Sequence, residues 1–275
     1  MNRIATERFS GFSDLYNKVR PAPPKKICKI VLDILNRKRV ERVVDLGSGT
    51  GLSTAIWRGY AREAIGIEPN EEMRSLAMKH HKNLPFIEGS SYNTLVADAS
   101  VDIVTCSQSF HWMEPVETLK EVDRILQPNG IFVIYDCKWP VTVSYKSEIS
   151  YSKLFRKVLE LHERYKERLP HEKQWPKNEH LHNLERSGYF KYCADIYFES
   201  NELCDSQRFI GMALSQGHLQ TLLKNNIPEI EEEIDRFKKT VCEDIKKKKP
   251  MIVSYKMIVG MKRAPSDVPC LLNTL

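Results

Sequence analysis

The first half of the chain alternates short apolar runs with amphipathic stretches. Residues 43–46 read VVDL and predict a buried strand, which ends in a turn containing Gly47, Gly49 and Gly51. Ahead of this strand, apolar residues at helical spacing predict a helix from Lys25 with one face against a sheet. These residues are Ile27, Ile30, Val31, Ile34 and Leu35.

Strands and helices then alternate along the chain. Further strands are predicted at 63–68, 84–87, 101–106 and 131–136, and helices between them at 54–62 and 117–126. The sequence Pro128-Asn129-Gly130 predicts the turn into the last of these strands. Because strands that alternate with helices form parallel sheets covered on both faces, this half predicts a doubly wound α/β fold.

The pattern changes after residue 138. A charged amphipathic helix is predicted within 139–174, where the alternation of strands and helices is interrupted, so we expect it to cap the functional site. Two more helices are predicted at 206–224 and 228–249, and strands at 192–199 and 251–262, the latter entering the sheet antiparallel. The apolar side of the first helix has Leu154, Phe155, Val158, Leu159 and His162, and that of the last has Ile230, Ile234, Phe237, Val241 and Ile245.

The glycine turn limits which ligand the first strand can hold. A phosphate-binding loop would need Gly and Lys where the chain has Leu52 and Ser53, and a dinucleotide-binding turn would need its third Gly at position 52. The chain instead reads D-x-G-x-G-x-G, which resembles motif I of the class I S-adenosylmethionine (SAM)-dependent methyltransferases. A carboxylate here would repel a pyrophosphate but suits the cationic SAM. The predicted cofactor contacts of this turn are Asp45, Gly47, Ser48, Gly49 and Gly51.

A second carboxylate follows the second predicted strand. Glu68 comes 17 residues after Gly51, at the carboxyl end of that strand, where it can accept hydrogen bonds from both ribose hydroxyls of a nucleoside. Pro69 and Met73 follow it and are predicted to offer apolar surface to the adenine.

The loop after the third strand departs from the resemblance. Class I methyltransferases commonly have an acid there that accepts from the adenine amino group, whereas Ser90 occupies the usual Asp position and Tyr92 the usual Glu position. We therefore predict that Ser90 and Ser91 line the pocket, with a hydroxyl or a backbone carbonyl as the acceptor.

The loop after the fourth strand should face the transferable methyl group. It lacks the [DNS]-P-P-[YF] sequence common in enzymes that methylate amide or base nitrogens, and its Q-S-F-H-W string at 108–112 resembles the trans-aconitate methyltransferase-like, type 11 branch of small-molecule methyltransferases. Ser107 and Gln108 are predicted to contact the cofactor. His111 either orients an acceptor oxygen or takes its proton, or it is a structural residue that hydrogen-bonds the following helix.

The amino-terminal segment carries a further resemblance. Residues 20–24 (RPAPP) are predicted to be extended, and Tyr16 lies one helical turn before Arg20. The pattern Y-x-x-x-R-P is similar to the segment before the core in the same branch. That resemblance implies that Tyr16 and Arg20 close over the cofactor, where the guanidinium fork suits a carboxylate. The alternative is a surface arginine beside a packed tyrosine.

Composition excludes several other classes of protein. The chain has 275 residues and a formal charge of +6, but its one dense basic run, 246–249, ends an amphipathic helix, so nucleic-acid binding is not favoured. The seven cysteines form no CxxC pair and predict reduced thiols. The histidines show no HExxH, and His180 and His182 would diverge on a helix, so no metal site is predicted. Without a membrane-length apolar run or a signal-peptide core, a cytoplasmic protein is expected.

These observations predict a three-layer, doubly wound, mostly parallel seven-stranded sheet with an antiparallel last strand, the Rossmann-like class I methyltransferase fold with a helical cap. The expected organisation is a strap at 1–24, a SAM-binding core at 25–138, a helical cap at 139–180, and the rest of the core at 181–275 with a helical insertion near 205–249. The resemblance implies methyl transfer from SAM, with S-adenosylhomocysteine (SAH) as product, to an oxygen of a small-molecule carboxylate or hydroxyl. A tRNA or protein methyltransferase and a SAM-binding protein without turnover remain alternatives, and we expect a monomer or weak dimer.

Overall fold

The structure is a computed structural model that describes residues 11, 13–170 and 173–267. The chain divides into two compact units. The sheet unit takes in Ala22–Asp136, Gln174–Tyr197 and the described residues from Lys256. The helical unit takes in the described residues up to Pro21, those of Cys137–Lys173, and Phe198–Tyr255.

Seven strands form one sheet in the order β3-β2-β1-β4-β5-β7-β6. β1 to β5 pair in parallel, and the last strand runs antiparallel, which confirms the predicted fold class. The strands are β1 Val40–Leu46, β2 Ala61–Ile67, β3 Phe86–Ile87, β4 Val101–Ser107, β5 Leu126–Cys137, β6 Phe190–Cys204 and β7 Lys249–Lys262. In parallel pairs the carboxyl ends of the strands meet at one edge, so the loops after β1, β2 and β4 come together there.

The helices of the sheet unit begin where local chemistry supplies caps. The side chain of Asn70 accepts a hydrogen bond from the backbone N–H of Met73 at 2.9 Å. The side chain of Glu114 accepts one from the backbone N–H of Glu117, and Pro115 follows Glu114 as the first residue of that helix. These helices are α2 Lys26–Ile34, α3 Leu52–Ala55, α4 Glu71–His80, α5 Pro115–Ile125 and α7 His180–Ser187. The apolar faces of α5 and α7 and the central strands share one buried core.

The helical unit has its own core, in which the predicted apolar side of the last helix is buried. Asp205 caps one helix of this unit by accepting from the backbone N–H of Arg208 at 2.9 Å. The helices are α1 Ser13–Val19, α6 Tyr145–Arg164, α8 Ser206–Leu214, α9 Gly217–Lys224 and α10 Glu229–Asp244. All five residues predicted to face inward on α10 and its C-cap are buried: Ile230, Ile234, Phe237, Val241 and Ile245.

Two predicted helices are wrong in extent. The helix at 54–62 is the short α3, because Gly59 adopts a left-handed φ of 85° that ends the helical path and turns the chain into β2. The helix at 206–224 is broken into α8 and α9 at Gln216, whose ψ of 129° is extended.

Two further predictions are corrected by the packing. Leu159, predicted on the apolar side of α6, is 61% exposed, whereas Leu154 and Val158 on the same helix are fully buried. The predicted turn at 128–130 lies within β5, where the β4 residues Val101 and Ile103 pair with Leu126 and Ile131, so the extra residues form a bulge in the ladder.

Other expectations concern cysteines and membrane spans. The six cysteines among the described residues carry no disulfide, and Cys270 lies outside them. Over the same residues, every helix is too short or too polar to cross a bilayer.

Candidate functional site

The glycine turn after β1 has a backbone that other residues would strain. Gly47, Gly49 and Gly51 have φ values of 65°, 54° and 84°, in the left-handed region that favours glycine. A Cβ on Gly47 would lie 2.8 Å from that of Ser109, whereas one on Gly49 would meet no atom within 4 Å. The turn is therefore packed against the loop after β4 on one side and open at its middle glycine.

Glu68 lies directly after β2 and is fixed to this turn. The residue is 7% exposed, and its two carboxylate oxygens accept 2.8 Å hydrogen bonds from the backbone N–H groups of Gly49 and Asn70. A carboxylate offers about four lone-pair positions, so roughly two remain for hydroxyl donors. The predicted strand-end carboxylate and the predicted turn are thus in direct contact.

Burial makes this carboxyl group titrate near neutrality. Loss of hydration raises the pKa of Glu68 to about 7, against the opposing effect of the Asn70 and Gly49 hydrogen bonds and the charge of Arg74. Arg74 also donates to the backbone carbonyl of Glu68 at 2.8 Å. The charge state of Glu68 therefore depends on any ligand group that donates a hydrogen bond to its carboxylate.

The predicted role of Asp45 requires a carboxylate at the surface of the turn, but Asp45 lies inside the protein. It is fully buried, and its oxygens accept from the hydroxyls of Ser53, Thr54 and Thr105 at 2.5, 2.7 and 2.7 Å. Burial raises the pKa of Asp45, and these three hydrogen bonds oppose the rise. Asp45 consequently ties β1 to α3 and β4 through these hydroxyls, and its direct contact with a cofactor stays a prediction.

The loop after β4 crosses next to the turn. Gln108 has a left-handed φ of 51°, and its backbone N–H donates to the carbonyl of Tyr135 on β5 at 2.9 Å. The hydroxyl of Ser109 donates to the carbonyl of Leu46 at 2.8 Å, which fastens this loop to the end of β1. Ser107 and Gln108, both partly exposed, therefore lie at the same edge as the turn.

His111 lies in a single 3-10 turn, Phe110–Trp112, beyond this loop. Its residue is 8% exposed, and its ring lies 5.0 Å from that of Trp112. Nδ1 of His111 is 3.9 Å from Oδ1 of Asp136, at the end of β5, and its carbonyl accepts from Trp175 at 2.9 Å. Both roles predicted for this histidine remain predictions.

Some side chains predicted to contact the cofactor are bonded or packed inside the protein. The Ser91 hydroxyl is bonded to that of Thr118 on α5 at 2.8 Å, and Met73 is 3% exposed, so neither side chain offers much surface to a ligand. The Ser48 hydroxyl lies 2.6 Å from where a Cβ on Gly66 would be, so it faces β2. Ser90 and Pro69 are partly exposed.

Tyr16 and Arg20 belong to the helical unit. The Arg20 guanidinium lies over two aromatic rings, 4.7 Å from the centre of the Tyr16 ring and 4.6 Å from that of Trp139. Its Nε and Nη2 donate to the hydroxyl and carbonyl of Ser215 at 2.9 Å each. Arg20 is thus a buried, bonded residue of this unit, and its predicted contact with a cofactor stays a prediction.

Sequence reasoning missed a polar cluster in the sheet unit. One ligand atom each from His111, Asp136 and His180 lie within 4.8 Å of one another. Burial lowers the pKa of His180 to about 4, so its ring is neutral at pH 7. Asp136 at the end of a predicted strand was the available signal, whereas nothing in the local sequence marks His180 as its neighbour.

Comparison with known proteins supports the methyltransferase resemblance. Residues 44–134 match a family model described as a methyltransferase domain, type 11. An uncharacterized methyltransferase of Schizosaccharomyces pombe is 34% identical over 116 residues, which is 42% of this chain and 46% of that protein. A candidate SAM-dependent methyltransferase of Saccharomyces cerevisiae is 30% identical over 127 residues, 44% of this chain and 43% of that protein. The chain spans about half the length of the curated relatives it matches.

Solved structures share the fold over most of the chain. A protein of Anaeromyxobacter dehalogenans, described as a candidate type II methyltransferase, superposes with a TM-score of 0.64 over 88% of this chain and 97% of that one. The YcgJ protein of Bacillus subtilis has a TM-score of 0.54 over 88% of this chain and all of its own. At 16% and 17% identity, these likenesses concern the fold alone.

Proposed function

We propose that this chain, whose residues 44–134 match a type 11 methyltransferase family model, is an enzyme that transfers a methyl group from SAM to a small molecule. We further propose that the acceptor atom is an oxygen of a carboxylate or a hydroxyl. The observation that carries the proposal is the hydrogen bond between Gly49 and Glu68, which joins the glycine turn to the strand-end carboxylate.

The residues at this edge fit the chemistry of SAM. Glu68 has lone pairs left after its two backbone bonds, and these suit the paired hydroxyls of a ribose. Gly49 has open space on the side where a Cβ would stand, so a ligand can approach the backbone closely. SAM, when bound, would supply an electrophilic methyl group on a sulfonium.

The remaining residues would then align the acceptor. The loop with Ser107 and Gln108 is fastened to β1 and β5, so it provides a rigid wall beside the turn. His111, one turn further on, would orient an acceptor oxygen or hold its proton, and its Nδ1 lies 3.9 Å from Oδ1 of Asp136. Well-oriented reactants can gain about 7–11 kcal/mol from alignment, so such a site needs few reactive side chains.

The acceptor class rests on what this loop contains. The Q-S-F-H-W string offers an imidazole and an indole rather than the Pro-Pro-aromatic clamp of enzymes that methylate planar nitrogens. An imidazole matches an oxygen acceptor, because it can either donate to a carboxylate or accept from a hydroxyl.

Calorimetric titration with SAH tests the cofactor assignment. Glu68→Ala should weaken SAH binding by roughly 100-fold, since it removes two hydrogen bonds to a charged acceptor. The matched control is Glu71→Ala, an exposed glutamate three residues further along, which should bind SAH as the unaltered protein does. Equal affinity of the Glu68→Ala variant and the unaltered protein would reject the assignment.

A methyl-donor assay tests the acceptor class. Carboxylic acids, phenols, amines and tRNA would each be supplied with labelled SAM. Turnover confined to acids or hydroxyl compounds is the expected result. Turnover on tRNA alone, or SAH binding without turnover on any of them, would favour the alternatives.

A further inference from the structure

The cluster of His111, Asp136 and His180 brings together residue types that bind transition metals. Their ligand atoms come from three different elements, namely the 3-10 turn at 110–112, the end of β5 and the start of α7. All three atoms lie within 4.8 Å of one another, and His111 and His180 are 8% and 1% exposed. We propose that these three side chains bind a divalent transition-metal ion, and this proposal goes beyond the proposed methyl transfer.

His180 is the residue that points most directly to a ligand. Neither of its ring nitrogens has a hydrogen-bond partner among the residues that the structure describes. A buried polar group left without a hydrogen-bond partner destabilises the folded protein, so a histidine at this depth favours a bound ligand. Its one described ring contact is with Phe110, edge to face at 4.9 Å, which leaves the ring nitrogens unsatisfied.

The chemistry of the set selects the type of metal. Two imidazoles and one carboxylate suit Zn²⁺, Fe²⁺ or Co²⁺, whereas Mg²⁺ and Ca²⁺ prefer sets made only of oxygen. Ligands at about 2.1 Å from a tetrahedral ion lie about 3.4 Å apart. The 3.9 Å between His111 Nδ1 and Asp136 Oδ1 must close by about half an ångström, and separations of up to 4.8 Å within the set by at most about 1.4 Å. Three protein ligands leave a fourth position for water or an acceptor oxygen.

Lys177 is the competitor for this site. Its ammonium group donates to Oδ1 of Asp136 at 2.5 Å, and its side chain is 45% exposed. An ion pair with a half-exposed lysine contributes little free energy, so the ammonium group can move into solvent and a metal ion can replace it at the carboxylate. The proposal therefore predicts that removal of this ammonium group strengthens metal binding.

Cobalt titration followed by visible absorption and calorimetry tests the site in the whole 275-residue chain. The unaltered protein should bind one Co²⁺ and give the intense visible bands of a low-coordinate ion. His180→Ala should weaken binding by more than about 100-fold. The matched control, His182→Ala, removes an exposed histidine from the same helix and should bind Co²⁺ as before. Lys177→Met should bind at least as tightly as the unaltered protein, with about tenfold tighter binding expected from loss of the competing charge.

Two results would overturn the proposal: no stoichiometric Co²⁺ or Zn²⁺ binding by the unaltered protein, or equal binding by the His180→Ala variant. The SAH affinity of each variant is measured alongside. Unchanged SAH binding in the His180→Ala variant shows that it is folded and separates loss of the metal site from failure of the proposed methyl transfer.

Discussion

The backbone N–H of Gly49 donates a 2.8 Å hydrogen bond to Oε2 of Glu68, and this contact joins the carboxyl ends of two neighbouring parallel strands. The bond does more than hold the loops together. It fixes one lone pair of a buried carboxylate and leaves others for a ligand, in a position where loss of hydration has already made the group easy to protonate. The affinity of this edge for a hydroxyl-bearing ligand should therefore depend on pH.

We expect the SAH affinity to rise as the pH increases through about 7. The pKa of Glu68 is raised to about 7 in the free protein, and only the ionised carboxylate can accept from two ribose hydroxyls. Below this pH, binding must first release a proton, so the affinity should fall about tenfold per pH unit. Calorimetric titrations between about pH 5.5 and 8.5 measure the slope.

Glu68→Gln is the control for this slope. The amide cannot ionise, so its SAH affinity should be weaker than that of the unaltered protein at high pH and constant across the range. A slope that persists in the Glu68→Gln variant would assign the titration to another group.

Gly51→Ala should destabilise the protein more than Gly59→Ala does. Both glycines have nearly the same left-handed φ, 84° and 85°, so both substitutions should cost about 1–2 kcal/mol in backbone strain. Only at Gly51 would the added Cβ also meet neighbouring side chains, 2.6 Å from the rings of His81 and Phe86, whereas nothing lies within 4 Å at Gly59. Overpacking should add about 1–3 kcal/mol at Gly51.

Urea unfolding of the two variants separates these contributions. The difference between their free energies of unfolding reports the steric cost, because the strain is common to both. Equal losses would mean that the His81 and Phe86 rings move aside freely.

The elements of the candidate site that could be predicted from the sequence are those with a local signature. β1, β2 and β4 are buried on both faces, so they read as apolar runs, and the positions of Gly49 and Glu68 follow from where those runs end. The contact between the two residues then follows from parallel pairing of β1 and β2.

The unpredicted parts depend on contacts between distant segments. Asp45 carries the charge expected of a residue that faces a cationic ligand, but three hydroxyls, one of them from Thr105 on β4, hold it inside. Asp136 and His180 are far apart in the sequence and meet only because α7 returns to the end of β5. The spacing of residues within one helix or strand contains no information on contacts between distant segments.

Leu154 and Leu159 show the same limit within one helix, and their substitution tests it. Both leucines read as apolar positions, yet Leu154 is fully buried in the helical unit and Leu159 is 61% exposed. Leu154→Ala should lower the free energy of unfolding by about 2–5 kcal/mol through lost burial and a cavity. Leu159→Ala should change it by less than about 0.5 kcal/mol. Thermal unfolding of both variants is the measurement, and a comparable loss for Leu159→Ala would show that another surface covers it.

Glu121→Gln should destabilise the sheet unit, and the effect should vanish in acid. Glu121 on α5 accepts from the backbone N–H and hydroxyl of Thr94 at 2.9 and 2.6 Å and from Nε of Arg124 at 2.8 Å. The Arg124 hydrogen bond, followed by those of Thr94, lowers the pKa of Glu121 to about 2 from an ordinary value of 4.5. Near neutral pH, loss of the charge should cost about 1–3 kcal/mol.

The pH dependence follows from the direction of this shift. A carboxyl group with a lowered pKa in the folded protein contributes its full stability above the unfolded value, here 4.5, and loses it as the pH falls towards about 2. Urea unfolding should therefore show a difference in the free energy of unfolding between the unaltered protein and the Glu121→Gln variant. This difference should be constant above about pH 5 and decrease below it. Glu117→Gln changes an exposed residue of the same helix and should leave the free energy of unfolding unchanged. If the difference for Glu121→Gln persists at pH 2, the loss of stability comes from packing rather than from charge.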